Sequence, residues 1–369
     1  MRVGIVCPYS LTLPGGVQGQ VVGLAHALRN IGVDARVLGP CDGPPPDASV
    51  TPLGDSVPLA SNGSFAPIAP DFPCALRTIR ALRDEAFDVV HLHEPLVPGP
   101  TLTALVFTDA PLIGTFHRAG ESAIYRAMRP LARWAAARLS VRCAVSEDAL
   151  ATASEALGGS YELVFNGIEL GRFAKAVPWP TEGPTILFVG RHEPRKGLAV
   201  LLDAMQYLGP DVRLWVASDG PQMAKLQSRS ASDPRIEWLG RINEEEKARR
   251  LRAADVFCAP SLDGESFGVV LLEAMAASAA IVASDLPGYR NVARPGKDAV
   301  LIPPGDAVAL AQAVSRVLED SRLREQLVAS GECRAAGFSM DHLAERYVEL
   351  YERMVSDRRE MGRVARRQG

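Results

Sequence analysis

Thr185-Ile186-Leu187-Phe188-Val189-Gly190-Arg191-His192-Glu193-Pro194-Arg195-Lys196-Gly197 reads as an apolar strand that stops at a glycine and runs into a basic loop. The strand, 185–190, is apolar nearly throughout, as expected of a parallel strand covered on both faces. The loop carries Arg191, Arg195 and Lys196 and leads into a helical pattern near Gly197. The same alternation continues on the C-terminal side, with strands expected at 212–217, 236–239, 256–260, 281–284 and 299–302. It also precedes the stretch, with strands expected at 2–7, 35–39, 87–93, 112–116, 142–146 and 162–166. Helical patterns such as 17–30, 121–138 and 243–254 lie between them, the last opening with Asn243 and Glu246 at capping-box spacing. Residues 167–184 carry no clear period and read as a linker. The fold expected is therefore α/β: two Rossmann-like, doubly wound parallel-sheet domains facing across a cleft.

Composition agrees with that reading. At 369 residues the chain exceeds one hydrophobic core. Hydrophobic residues at 47% and charged residues at 22% are those of a soluble globular protein, and a net charge of -3 argues against a nucleic-acid partner. Cys7, Cys41, Cys74, Cys143, Cys258 and Cys333 are scattered, with no C-x-x-C pair, which suits reduced cytosolic thiols. No signal peptide or transmembrane stretch is expected, so the expected location is cytoplasmic.

Ligands of doubly wound sheets bind beyond the carboxyl ends of the strands, which makes two stretches stand out. The loop Gly190–Gly197 aims cations where a diphosphate leaving group gains charge, and one well-placed group of that kind is worth about 2.7–4 kcal/mol in the transition state. After strand 256–260 comes Glu265-Ser266-Phe267-Gly268-Val269-Val270-Leu271-Leu272-Glu273. A helix expected to begin near Ser266 would present free amides to an anion. Ser266 and Glu273, seven apart, would then share a face. Glu273 stands in an otherwise uncharged stretch, where an unpaired carboxylate would be costly.

These residues carry a resemblance to a known family. E-S-F-G-V-V-L-L-E looks like the E-x7-E motif of retaining GT-B glycosyltransferases of family 4, and G-R-H-E-P-R-K-G looks like their donor-phosphate loop. V-C-P-Y-S-L-T-L-P-G-G-V-Q, H-L-H-E-P, G-T-F-H and N-G-I-E recur in that family in the same order. Within it, the chain is most similar to the actinobacterial phosphatidylinositol mannosyltransferases, which transfer mannose from GDP-mannose to the inositol of a membrane phospholipid.

The resemblance implies an N-terminal acceptor-binding domain over 1–170, a nucleotide-sugar-binding domain over 171–344, and a C-terminal helix of about 345–369 packed back on the first. Donor contacts would come from Gly16, Arg191, Arg195, Lys196, Ile242, Lys247, Glu265, Ser266, Phe267, Gly268, Val269 and Glu273. Arg191 and Lys196 would hold the diphosphate, Glu265 the transferred sugar and Glu273 the ribose. Ile242 and Lys247 would line the base pocket, and His117 would lie near the reacting centre. Retention would follow a front-face route in which the departing phosphate helps deprotonate the acceptor. No D-x-D occurs, so no metal cofactor is expected, with cations and helix amides taking that role.

Acceptor contacts would fall to Tyr9, Gln18, Asn62 and Arg118. Here the chain departs from the mannosyltransferases. Ser61 stands where a Tyr is usual, Pro67 where an Arg is usual, and Arg118 where a small hydroxyl residue follows His117. The loss of that Arg removes a phosphate partner; Arg118 either replaces it or marks another acceptor. Arg77, Arg80 and Arg83, and a second set running from Arg118 through Arg126, Arg129, Arg133 and Arg138 to Arg142 with Tyr125, Met128 and Trp134 among them, read either as an anionic-membrane face or as solvated helix surface. The expected partners are a nucleotide diphosphate sugar, a phosphoinositide lipid and the inner face of the plasma membrane. The competing readings are a family 4 enzyme using a UDP-sugar and another lipid or soluble acceptor, a GT-B-like epimerase, a non-catalytic sugar-nucleotide-binding protein, and a nicotinamide oxidoreductase. The last lacks its G-x-G-x-x-G loop here.

Overall fold

In the first part of the chain the central strands are runs buried on both faces, the flanking ones are less covered, and the sheet they build is parallel throughout. The strands are β1 (Arg2–Val6), β2 (Asp34–Gly39), β3 (Val50–Pro52), β6 (Val89–His93), β7 (Leu112–Phe116), β8 (Val141–Ala144) and β9 (Glu162–Leu163). They lie in the order β3-β2-β1-β6-β7-β8-β9. A small antiparallel hairpin, β4 (Val57–Ser61) with β5 (Ser64–Ile68), stands apart from this sheet. The computed structural model describes every residue except 14, 62, 63, 119, 121–128 and 369, and leaves the side chains of 60, 61, 64, 65 and 361–368 undescribed as well.

The second sheet repeats the plan. β10 (Thr185–Val189), β11 (Arg213–Ala217), β12 (Ile236–Gly240), β13 (Val256–Ala259), β14 (Ala280–Ser284) and β15 (Val300–Ile302) lie in the order β12-β11-β10-β13-β14-β15. Each sheet starts in its middle, winds outward, returns and winds the other way. That reversal puts a switch point between β1 and β6 in one sheet and between β10 and β13 in the other.

The chain divides into two compact units, Met1–Gly167 with Met340–Gly369, and Ile168–Ser339. The first unit reclaims the C-terminal helix Met340–Gln368: Met340, Leu343, Ala344, Tyr347, Leu350, Tyr351 and Met354 pack among Val3, Ile5, Leu24 and Ile113. The sequence reading had drawn these boundaries at 170/171 and 344/345.

Helix starts follow local capping chemistry. The side chains of Asp71, Ser146, Asn243, Asp306 and Asp320 each accept the amide three residues on. The expected linker is not wholly irregular, since Leu170–Ala174 forms a short helix with Phe173 in the core. Among the described residues no helix is long and apolar enough to cross a membrane. Of the cysteines, Cys333 alone is exposed and none of the six is in a disulfide.

Candidate active site

In the second unit the loop after β10 meets the loop after β13, because those strands are neighbours across the switch point. Gly197 makes the close approach possible. It has φ +67, and a Cβ there would sit 1.9 Å from the Pro260 carbonyl oxygen. The amide of Leu262 donates to the Arg195 carbonyl at 2.7 Å, which locks the two loops together.

The side chains on these loops form one charged cluster. Lys196 Nζ lies 2.5 Å from Glu265 Oε1, and Arg195 Nη1 lies 3.7 Å from the same oxygen. Ser261 Oγ donates to Glu265 Oε1 at 2.9 Å and sits 2.9 Å from the hydroxyl of Tyr289, which is fully buried. Burial, helped by the nearby Glu265 charge, pushes the Tyr289 phenol far above its ordinary range, so it stays a neutral hydroxyl. Glu193, only 2% exposed, is held between Arg191 Nε at 2.7 Å and Arg195 Nε at 3.1 Å. Arg191 itself is 44% exposed, so its guanidinium keeps a face to solvent. Gly288 completes the floor, because a Cβ there would fall 1.8 Å from the Glu265 carbonyl oxygen.

The helix after Glu265 begins later than expected. It runs Val269–Ala276, and the residue before it, Gly268, has φ +90. Ser266 is thus in the preceding bend and not on the helix, so Ser266 and Glu273 do not share a helical face. A left-handed residue at 268 ends any helix that would start at 266. Of the amides expected at the helix start, those of Gly268 and Val269 stand there, while Ser266 and Phe267 lie in the bend before it. The Phe267 side chain turns inward and packs edge-to-face on Phe338 at 5.8 Å.

Glu273 is not a solvated charge. Lys247 Nζ donates to its Oε1 at 3.0 Å and also reaches Glu244 at 2.8 Å. Burial lifts the Glu273 carboxyl, and Lys247 offsets only part of that shift. Burial pushes the Lys247 ammonium down, but Glu273 and Glu244 outweigh it, and the group ends raised. Two acids around one ammonium keep the lysine charged. Ile242, half-buried, packs against the unit's core one residue before the Asn243 cap.

The first unit gathers a second cluster at the carboxyl ends of β6 and β7. His117 follows β7 and is 8% exposed. Its Nε2 lies 2.9 Å from His93 Nδ1, and its backbone amide donates to Glu94 Oε1 at 2.6 Å. Glu94 is buried with φ +52, a conformation few non-glycine residues adopt, and the Arg118 amide also donates to it. Burial raises the Glu94 carboxyl, with those amides and the Arg118 charge opposing. His91 is buried too, with Nδ1 on the Tyr351 hydroxyl at 2.7 Å and Nε2 on Thr115 Oγ1 at 2.7 Å. Burial depresses all three imidazoles, His91 and His117 to about 3 and His93 well below its usual value.

Tyr9 belongs to the same end of the sheet. Burial first, and then the Glu94 charge, raise its phenol, while Arg118 opposes them. Tyr9 bridges to Ile68 of the hairpin, and the Ser10 amide donates to the Pro67 carbonyl at 2.9 Å. Gln18 is buried and donates weakly to the Ser10 carbonyl at 3.4 Å. Gly16 opens the helix Gly16–Asn30, with no protein atom within 4 Å of where its Cβ would be. Asn62 lies outside the described residues, as do Tyr125, Arg126 and Met128.

The structure thus joins Arg195 and Lys196 to Glu265 directly, ties Arg191 to them only through Glu193, pairs Lys247 with Glu273, and sets His117 beside Arg118, Glu94 and Tyr9. Sequence reasoning assigned no role to Glu193, Ser261, Tyr289, His91, His93 or Glu94. His91 and His93, alternating on one strand, would project to the same face; that spacing was the available signal.

Known proteins match along nearly the whole chain. Residues 183–320 fit the family model "Glycosyl transferases group 1" and residues 14–172 fit "Glycosyltransferase Family 4". A phosphatidyl-myo-inositol mannosyltransferase of Mycobacterium leprae is 37% identical over 368 residues, covering 96% of this chain and 98% of the relative. The chain belongs to glycosyltransferase family 4. A relative of the same name from Mycobacterium tuberculosis is 39% identical over 95% of this chain and 97% of its own length. Among solved structures, sucrose-phosphate synthase from Thermosynechococcus elongatus superposes with a TM-score of 0.76 at 20% identity, covering 96% of this chain and 99% of the other. An Anabaena protein in complex with UDP and glucose gives 0.75 at 18% identity, covering 95% and 99%. The fold of this family 4 glycosyltransferase is therefore GT-B.

Proposed function

We propose that this enzyme transfers mannose from GDP-mannose to the inositol of a phosphatidylinositol-type lipid, with retention at the anomeric carbon. The observation that carries this reading is the near full-length identity, 37–39%, to relatives named phosphatidyl-myo-inositol mannosyltransferase. The charged cluster after β10 and β13 supports it. Arg191 and Lys196, with Arg195 beside them, would take the diphosphate, and Glu265 would take the sugar hydroxyls through the oxygen not held by Lys196 and Ser261. The amides of Ser266–Val269 would add fixed dipoles, Glu273 would hold the ribose, and Ile242 and Lys247 would line the base pocket.

In the reaction the bond from the sugar's anomeric carbon to the β-phosphate oxygen breaks and one to the acceptor oxygen forms on the same face. The acceptor proton passes to the departing phosphate. The cations around the diphosphate replace a divalent ion in neutralising that charge. Tyr9, Gln18, Asn62 and Arg118 would meet the acceptor, and His117 would meet the reacting centre.

Contact with anionic membrane fits the surface of the first unit. On the helix Phe72–Glu85, Phe72 and Leu76 are 73% and 51% exposed, and Arg77, Arg80 and Arg83 are exposed beside them. Trp134 and Leu131 are exposed near Arg133. The departures at Ser61, Pro67 and Arg118 favour one second reading, a family 4 transferase for a different acceptor.

Calorimetry with GDP-mannose, UDP-glucose and UDP, followed by mass spectrometry of products formed on phosphatidylinositol and on soluble acceptors, separates the two. GDP-mannose binding and a mannosylated lipid support the first reading; turnover only with another donor or acceptor overturns it. Lys196→Ala should weaken donor binding, and unchanged affinity would remove Lys196 from the donor site. Turnover should persist in EDTA, and a product of the opposite anomer by NMR would rule out the front-face route.

A further inference from the structure

The imidazoles of His91, His93 and His117 stack in a buried row, with ring centroids 4.4 Å apart for the first pair and 5.1 Å for the second. Their hydrogen bonding is unequal. His91 has a partner on each nitrogen, Tyr351 on one side and Thr115 on the other. His93 has one: Nδ1 meets His117 Nε2 at 2.9 Å, while its Nε2 is shut off from solvent and has no partner among the described residues. Burial keeps both His93 and His117 neutral, so one proton lies between them and each ring carries one N–H in all.

Two arrangements satisfy that contact, and they leave different atoms stranded. If His117 Nε2 donated to His93 Nδ1, the remaining proton of His93 would sit on Nε2, giving a buried N–H with nothing to accept it. If His93 Nδ1 donates instead, its Nε2 is only a bare lone pair. Either orphan carries a desolvation cost, but buried orphan N–H groups are rarer than under-satisfied acceptors, and that difference decides. The second arrangement wins. The proton of His117 must then be on Nδ1. The backbone at this point is already fixed, because Glu94 accepts the amides of both His117 and Arg118.

We infer that His93 is a positioning residue: its Nδ1–H donates to His117 Nε2 and holds His117 as the Nδ1–H tautomer. His117 therefore carries its N–H on Nδ1 as a hydrogen-bond donor, and its Nε2 lone pair is taken up by His93. The tautomer rests on the His93–His117 contact, on the partnerless His93 Nε2 and on the burial that keeps both rings neutral. Its consequence for turnover rests on the proposed placing of His117 at the reacting centre. A neutral donor there suits a reaction in which a sugar hydroxyl or phosphate oxygen must be oriented and the departing phosphate receives the proton.

The tautomer is read directly by long-range proton–nitrogen correlation on the full chain labelled with 15N-histidine, near pH 8. His117 is assigned by its loss in a His117→Asn spectrum. The expected result is a protonated Nδ1 and a bare Nε2 on His117, together with a protonated Nδ1 on His93. A protonated Nε2 on His117 overturns the inference whatever the kinetics.

Kinetics test the consequence. Asn can place an N–H where Nδ1 stands and Gln where Nε2 stands, so His117→Asn should exceed His117→Gln in kcat by about tenfold or more, both being slower than the parent. Loss of a preorganised donor lowers kcat by about 10²-fold on related precedent. His93→Leu should lower kcat with little change in donor KM, and His93→Asn, which retains a donor at the Nδ1 position, should recover part of it. Circular dichroism identifies any variant that fails to fold, and the parent spectrum needs no variant in order to show which nitrogen types are present. If the spectrum shows Nδ1–H but all His117 variants turn over like the parent, the placing of His117 at the reacting centre falls while the tautomer stands.

Discussion

The buried histidines make the first unit acid-sensitive in a way that can be worked out from the structure. His91, His93 and His117 each have a folded pKa depressed by burial, with an ordinary value of 6.5 in the unfolded chain. For a base held neutral in the native state, the unfolded chain binds more protons as the pH falls below 6.5, so folding loses free energy on acidification. Between about pH 7.5 and pH 5.5 each such histidine removes about 1.4 kcal/mol, and the loss continues until the folded group itself titrates near 3. Three of them remove about 4 kcal/mol over that window, a large share of the 5–15 kcal/mol typical of a domain. Glu94 acts in the opposite sense: its carboxyl is raised in the fold, so its contribution is present at low pH and lost as the pH rises through its folded value. A chain of two compact units does not unfold in one step, so the readout has to be local. Hydrogen exchange of peptides covering β6 and β7, corrected for intrinsic rate at each pH, gives it. Protection should fall between pH 7.5 and 5.5 by the equivalent of several kcal/mol. In His91→Gln the fall should shrink by about a third. Equal corrected protection at both pH values, or the same fall in parent and His91→Gln, would refute the reasoning.

Three other perturbations follow from the same geometry. Gly197→Ala forces a Cβ to within 1.9 Å of the Pro260 carbonyl at a φ of +67, so it should cost at least about 1–3 kcal/mol of stability and lower donor affinity, measured by thermal unfolding and calorimetry. Lys247→Met strands the buried Glu273 carboxylate and should destabilise the second unit by about 3 kcal/mol, with Glu273→Gln in the same chain restoring part of it; urea unfolding checks both. Replacing Phe72 and Leu76 together by Ser should lower co-sedimentation with anionic vesicles at low salt by about tenfold or more, from about 1.5 kcal/mol per side chain, while unchanged binding would move the membrane contact elsewhere.

How much of this was readable beforehand depends on whether a feature is local in the chain. Runs such as Thr185–Val189 and Val89–His93 are apolar because both faces of a parallel strand are covered, so twelve of the fifteen strands among the described residues could be placed from their own residues. The three missed, β3 to β5, carry Pro52, Pro58 and Pro67, which read as turn punctuation and are tolerated only where a ladder hydrogen bond is not needed. The helix start was misplaced from Val269 to Ser266 because only the backbone at Gly268 shows that the intervening residues cannot be helical.

Register decided the site, and register is not written in any one segment. His93 lies opposite Thr115 in the β6–β7 pairing, so the residue two beyond Thr115, His117, comes out on the same face and within reach of its ring. A motif search can single out His117 by its place at a strand's end, but the partner that sets its tautomer lies 24 residues away and one strand over. The second unit obeys the same rule. Lys196 and Glu265 are 69 residues apart, yet β10 and β13 are adjacent at the switch point, with Ile186 opposite Val256, so their loops must converge. The side chains named by motif are those expected to face a ligand, whereas Glu193, Ser261, Tyr289 and His93 touch those side chains. Their identities are constrained by hydrogen-bond geometry within the fold, so a linear pattern carries little signal for them. A variant at one of these positions should then disturb the orientation of its neighbour more than it disturbs ligand contact itself, which is why kcat, KM and tautomer have to be read separately.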